Sequence, residues 1–218
     1  MAAGNSDSAP TEYGSLAWLI VALLFPVALL NYLDRQMLAA MKTSMITDIP
    51  GIETKENWGL VLGVFKWVYA GLSPFGGYVA DRISRRHVIC LSLLVWSLVT
   101  WLTADVRTFE QLLLMRALMG ISEAFYIPAA LAMITDFHTG RNRSLAVGIH
   151  QTGIYIGLIL GGMAGYAAEQ PAIGWRFVFS SCGLTGILYA LPLMFILKNP
   201  PQLAARDRKS TRLNSSHT

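Results

Sequence analysis

Long apolar runs separated by short polar turns divide residues 16–198 into six segments of membrane-spanning length. The first starts at Leu16, is uninterrupted to Leu30 and then reads NYLDRQMLAAM before the polar stretch Lys42 to Asn57. The others are Trp58 to Ala80, Val88 to Ala104, Leu112 to Thr135, Ser144 to Ala168 and Trp175 to Leu197. About 20 apolar residues cross a hydrocarbon core of roughly 30 Å, so the pattern predicts an all-α membrane protein with six transmembrane helices. The first segment has two possible ends. If it stops at Leu33, Asp34 and Arg35 are interfacial; the apolar run Met37 to Met41 favours a longer helix that carries both inside the protein.

The fourth segment, LLLMRALMGISEAFYIPAALAMIT, is apolar enough to span yet holds Arg116 and Glu123. At about 24 residues it places Glu123 near the midplane, where a charge costs about 2.5 to 3.5 kcal/mol even on insertion scales. Arg116 precedes Glu123 by two helical turns, about 10 Å along one face, and Gly120 between them leaves room for something to approach the backbone. Intramembrane ionisable residues usually face a polar cavity; the competing reading is that Arg116 snorkels to the headgroups and Glu123 is a satisfied buried carboxylate. Lys66 lies about 12 Å into the second segment. It reads either as an anion contact or as a lysine that snorkels or pairs locally.

The fifth segment carries Gly148, Gly153, Gly157, Gly161, Gly162 and Gly165, a face suited to close helix packing. Pro26 is expected to kink or loosen the first helix, as membrane helices tolerate. The loops DRISRRH, Asp81 to His87, and DFHTGRNR are basic and read as cytoplasmic. Both termini are then cytoplasmic and the protein is a multi-pass cell-membrane protein.

Composition agrees with the pattern and narrows the function. The chain is 54% hydrophobic and 14% charged, with mean hydropathy +0.47, too apolar for an ordinary soluble domain. A net charge of +4 spread over short loops serves topology and does not imply nucleic acid. Cys90 and Cys182 fall within apolar spans without ligand-type spacing, so no disulfide framework or metal site is expected. No nucleophile and base pairing or phosphate-cradling loop argues for an enzyme, and no cofactor is expected. Residues 1–15 lack the basic region of a signal peptide and read as a disordered cytosolic tail. KNPPQ ends the sixth span; residues 199–205 read as the start of a cytoplasmic linker. From Arg206 the sequence RDRKSTRLNSSHT turns abruptly polar and looks more like translated adapter read-through than protein, which makes a truncated gene model the expectation.

The loop GGYVADRISRR resembles the signature of the major facilitator superfamily of transporters at Gly77, Asp81, Arg82, Arg85 and Arg86, with Ser84 where that family usually has glycine. The resemblance covers Leu16 to Pro201 and implies the N-terminal half of a twelve-helix fold, built as two inverted three-helix repeats, with a C-terminal six-helix half missing. It also implies that the signature loop latches the two halves in one conformational state. Within the superfamily, NYLDR together with Arg116 and Glu123 resembles the anion:cation symporter group, which carries sugar acids and other organic anions with protons. Spinster-like lipid transporters share a similar NYxDR and R-x-x-x-G-x-x-E pattern.

That resemblance makes the first and fourth spans equivalents lining a central cavity. It implies Glu123 and Asp34 as proton-coupling residues, and Arg35 and Arg116 as substrate contacts. Asn31, Tyr32, Lys66, Gln151 and Tyr155 are further substrate-binding candidates. The implied activity is proton-coupled symport of a small organic anion by alternating access. The alternatives are a spinster-like carrier of a lysophospholipid or similar amphiphile, and a non-transporting six-helix module. The implied partners are the anion, protons and the bilayer.

Overall fold

The computed structural model describes residues 14–199, and among them all regular structure is helical. The helices are α1 (Gly14–Ala40), α2 (Lys42–Ile46), α3 (Lys55–Arg82), α4 (Arg85–Thr103), α5 (Phe109–Glu123), α6 (Tyr126–Phe137), α7 (Gly140–Ala168) and α8 (Gly174–Ile196). Five stretches are long and apolar enough to cross a membrane, α5 and α6 counting as one. The remaining long helix, α3, has 28 residues and reaches about 42 Å at 1.5 Å per residue. Lys66 and its polar ends lower its apolar character. With α3 as the second span, the expected six-helix half is present.

Packing reveals the internal symmetry. The dominant helix pairs are α1 with α7, α4 with α8, and α3 with α5, which are spans one and five, three and six, and two and four. Exchanging the first three spans for the last three maps the first pair onto the third and the second onto itself. That invariance is what two inverted three-helix repeats produce.

Glycines set these distances. A Cβ on Gly153, Gly161 or Gly165 would come within 3.0 Å of a carbonyl oxygen of Phe25, Leu33 or Ala40 on α1, and Gly157 lies against Leu29 in the same way. One face of α7 is therefore bare, as its spacing predicted, and lets the α1 backbone approach. Gly148 and Gly162 have nothing within 4 Å at their Cβ positions and lie off that face.

The structure resolves one boundary that the sequence left open and changes two. The first helix continues through Pro26 to Ala40, the longer of the two possible ends. The fourth span is broken at Ala124 and Phe125 into α5 and α6. Pro128 explains the break: it has no N–H for the Ala124 carbonyl four residues earlier, and its ring crowds that carbonyl. Gly76 of α3 accommodates the bulge, since a Cβ there would lie 2.5 Å from the Ala124 oxygen. The basic turn Asp81 to His87 shrinks to Ile83 and Ser84, because Asp81 and Arg82 close α3 while Arg85 and Arg86 open α4.

The tail expected over residues 1–15 lies outside the described residues except for Gly14 and Ser15, which open α1. Asn199 is described; the rest of the linker and the read-through segment 206–218 lie outside the described residues.

Candidate substrate and proton site

Four charged side chains from two spans meet in the interior. Asp34 and Arg35 come from α1, and Arg116 and Glu123 from α5. Arg35 Nε donates to Glu123 Oε2 at 2.5 Å. Glu123 has no exposed surface, whereas Arg35 keeps 16% of its side chain exposed. Asp34, 2% exposed, accepts a hydrogen bond at 3.1 Å from Thr100 of α4.

Arg116 is placed differently. It is 3% exposed, and no carboxylate among the described residues lies within salt-bridge distance of it. Its Nη1 donates to the Met119 sulfur at 2.9 Å, and its guanidinium lies 4.5 Å from the Phe65 ring centroid. Gly120 makes this possible. A Cβ there would sit 2.8 Å from the Phe65 carbonyl oxygen and 3.3 Å from the Tyr69 nitrogen, so what approaches α5 at that glycine is the backbone of α3.

Arg35 in turn lies among three rings, 4.7 Å from Tyr32, 5.0 Å from Phe65 and 4.5 Å from Tyr69. Several polar atoms of the cluster find no partner among the described residues: Asp34 Oδ1, Arg35 Nη2, Arg116 Nε, Glu123 Oε1 and both amide atoms of Asn31. Buried polar groups are almost always hydrogen-bonded. Most of the unpartnered buried atoms of the described residues lie in this cluster.

Of the residues singled out from sequence, Asn31, Tyr32, Asp34, Arg35, Arg116 and Glu123 converge. Lys66, Gln151 and Tyr155 lie outside the buried part of the cluster. Lys66 and Gln151 are exposed and Tyr155 is 63% exposed. Lys66 is displaced about 100° from Phe65 around α3, so Phe65 and Tyr69 take the inward face instead. Those two aromatics, Thr100 and Met119 were not singled out from the sequence.

An apolar groove of about 370 Å³ runs between α3, α4 and α5, bordered by Val79, Leu91, Leu118, Ile121 and Ser122. Leu118 and Ile121 lie about half a turn from Arg116 and Glu123 around α5, so the groove and the charged cluster open on different faces.

The signature loop forms a second constellation. Arg85 pairs with Asp136 at the end of α6 and approaches Asp81 at 3.7 Å. Arg86 bonds the Met194 carbonyl of α8 through its side chain and Asn199 through its backbone N–H. Arg82 stacks on Tyr78 at 4.6 Å. Gly77 has open space at its Cβ position. Sequence reasoning missed Asp136. At the other end of the bundle, Asp48 accepts from Trp175 Nε1 at 2.9 Å and Arg176 Nε at 3.3 Å. Arg176 also donates to the Ala104 and Val106 carbonyls.

Six spans paired by symmetry, a membrane-buried charge cluster and the signature loop all bear on ancestry, and comparison decides it. The sequence profile of the Major Facilitator Superfamily matches residues 24–216. The chain belongs to the major facilitator superfamily. It is 34% identical over 195 residues to protein spinster homolog 1 of Xenopus tropicalis, covering 88% of this chain and 36% of that protein. Against protein spinster homolog 1 of Homo sapiens the identity is 33% over 191 residues, covering 84% and 35%. A crystal structure of a bacterial homologue of the human lysosomal transporter spinster, inward-facing and unoccupied, superimposes with a TM-score of 0.77 at 27% identity, over 89% of this chain and 44% of that one. The chain thus spans little more than a third of these curated relatives. Their names point to the spinster branch rather than to the anion:cation symporter group that the motif combination first resembled.

Proposed function

We propose that this superfamily member forms half of a secondary transporter that moves an amphiphile with an anionic headgroup, coupled to protons, by alternating access. The observation that carries this reading is the contrast between the two buried arginines. Arg35 is paired to Glu123, while Arg116 rests on an aromatic ring and a thioether, weak partners for a guanidinium. Arg116 is therefore positioned to receive a phosphate or carboxylate, which arginine binds in a bidentate fork. Similarity to spinster proteins favours a lysophospholipid-like substrate over a sugar acid.

Coupling follows from competition for Arg35. A substrate anion that draws Arg35 away leaves Glu123 buried without its cation, an arrangement costing several kcal/mol unless the carboxylate takes up a proton. The loaded and protonated site carries less net charge and closes more easily. Asp34, held by Thr100, is the second proton-site candidate by the same logic. In this reading Tyr32 and Asn31 border the substrate, and Lys66, Gln151 and Tyr155 face the second six-helix half or the lipid. The signature loop at Gly77, Asp81, Arg82, Arg85 and Arg86 stabilises one conformational state, and that end of the bundle and both chain ends lie in the cytoplasm.

The test is uptake by the complete carrier in liposomes with an imposed proton gradient, using labelled lysophospholipid and labelled sugar acid in parallel. Gradient-driven accumulation of the lysophospholipid supports the reading. Accumulation of the sugar acid alone transfers the protein to the anion symporters, and gradient-independent movement removes the coupling.

A further inference from the structure

Phe65 carries two cations. The Arg35 guanidinium carbon lies 5.0 Å from its ring centroid and that of Arg116 lies 4.5 Å away. The sum of these distances caps the separation of the two like charges at about 9.5 Å. The ring is 5% exposed and packs with Val99 and Met119, with Tyr69 and Met115 beside it. Its position is enforced by the backbone, because Gly120 admits the Phe65 carbonyl against α5.

Arg116 shares a helix face with Glu123 two turns away, about 10 Å along the axis, a gap that a long arginine side chain shortens considerably. Even so, it lies on Phe65 and donates to Met119, while Glu123 Oε1 has no hydrogen-bond partner among the described residues. In a buried site a guanidinium gains more from a carboxylate than from a thioether. Arg35 already occupies one oxygen of Glu123, and Phe65 is in contact with both arginines, placed to keep Arg116 from the other. Tyr32 and Tyr69 confine Arg35 further.

We propose that Phe65 is a positioning residue of this site: its ring keeps the two guanidinium groups apart and prevents Arg116 from closing on Glu123, so that Arg116 stays open to the substrate's anionic group. This rests on reading the cluster as a substrate-anion site, but its test needs no substrate. Without the ring, Arg116 collapses onto Glu123 and the site neutralises itself. A cation over an aromatic face is held by the ring quadrupole, so withdrawing electron density weakens the hold with little change of shape.

The experiment is labelling of Glu123 by dicyclohexylcarbodiimide, a hydrophobic reagent for protonated membrane carboxyls, in detergent micelles of the complete carrier carrying Arg35→Leu, which removes the cation that otherwise covers Glu123 and leaves Arg116 as the one that can close on it. Phe65→Leu should lower labelling several-fold, and Phe65→Tyr should restore it. Replacing Phe65 by mono-, di- and trifluorophenylalanine should lower it stepwise, and this series decides the matter should Phe65→Leu fail to assemble. Labelling that is unchanged across the fluorinated series overturns the proposal, whatever substrate the carrier proves to move. A wild-type carrier that shows no transport, with labelling still dependent on the ring, would instead count against the transport reading alone.

Discussion

Arg35 and Glu123 form an asymmetric pair: the carboxylate is wholly enclosed, whereas the guanidinium that binds it at 2.5 Å keeps 16% of its surface. Arg35 is thus the member with a way out, and under the proposed function a substrate approaching from the open face would reach it before it reaches Glu123. The pair also ties the first span to the fourth, the two that the inverted repeat makes equivalent.

Arg35→Leu should therefore be more damaging than the loss of both charges. Breaking a buried pair from one side costs about 3 to 5 kcal/mol, while removing both partners is often close to neutral. Thermal unfolding of the carrier in detergent should show a large loss for Arg35→Leu and recovery of most of it in Arg35→Leu/Glu123→Leu. Equal melting of the single variant and wild type would mean that Glu123 is already neutral in the resting protein.

Glu123→Gln keeps the shape of the carboxyl and removes its proton chemistry. Accumulation driven by a proton gradient should be abolished, while exchange of substrate between the two sides persists. Arg116→Ala should abolish substrate binding in both assays. Unchanged gradient-driven uptake in Glu123→Gln would exclude its coupling role.

The charged members of this site were legible because charge in an apolar run is costly wherever it falls, and cost points to function without any knowledge of packing. Asp34, Arg35, Arg116 and Glu123 stand out for that reason, and the glycines at 153, 157, 161 and 165 by their four-residue spacing. Phe65 and Tyr69 did not stand out, since an aromatic inside a membrane helix carries no penalty and only the facing arginines reveal its role. The break after Glu123 was available from Pro128 four residues beyond Ala124, but the apolar run masks it. Asp136, at a helix end, became meaningful only once Arg85 was brought beside it.

Gly157→Val should disrupt assembly of α1 with α7, because its Cβ would run into the Leu29 carbonyl. Gly148→Ala and Gly162→Ala, with open space at the Cβ position, should be neutral or slightly stabilising by roughly 0.5 to 1 kcal/mol through helix propensity. Monodisperse yield in detergent and melting temperature report both effects. Loss of yield with Gly162→Ala instead would place that face against the second half of the carrier.

The signature loop offers a charge-reversal test. Arg85 joins Asp136, which ties the start of the third span to the end of the fourth, and Asp81, 72% exposed at 3.7 Å, contributes less. Arg85 also sits at a helix N-terminus, where a positive charge is unfavourable, so only its acidic neighbours hold it there. Asp136→Arg should lower transport strongly by leaving two repelling guanidinium groups, and Arg85→Asp/Asp136→Arg should restore much of it. Asp81→Asn should leave stability almost unchanged, yet alter the transport rate if its exposed carboxylate meets the second half in one conformation. Rates and melting curves measured on the same preparations separate the two roles. A double reversal no better than the single would show that Arg85 has a further partner across the carrier.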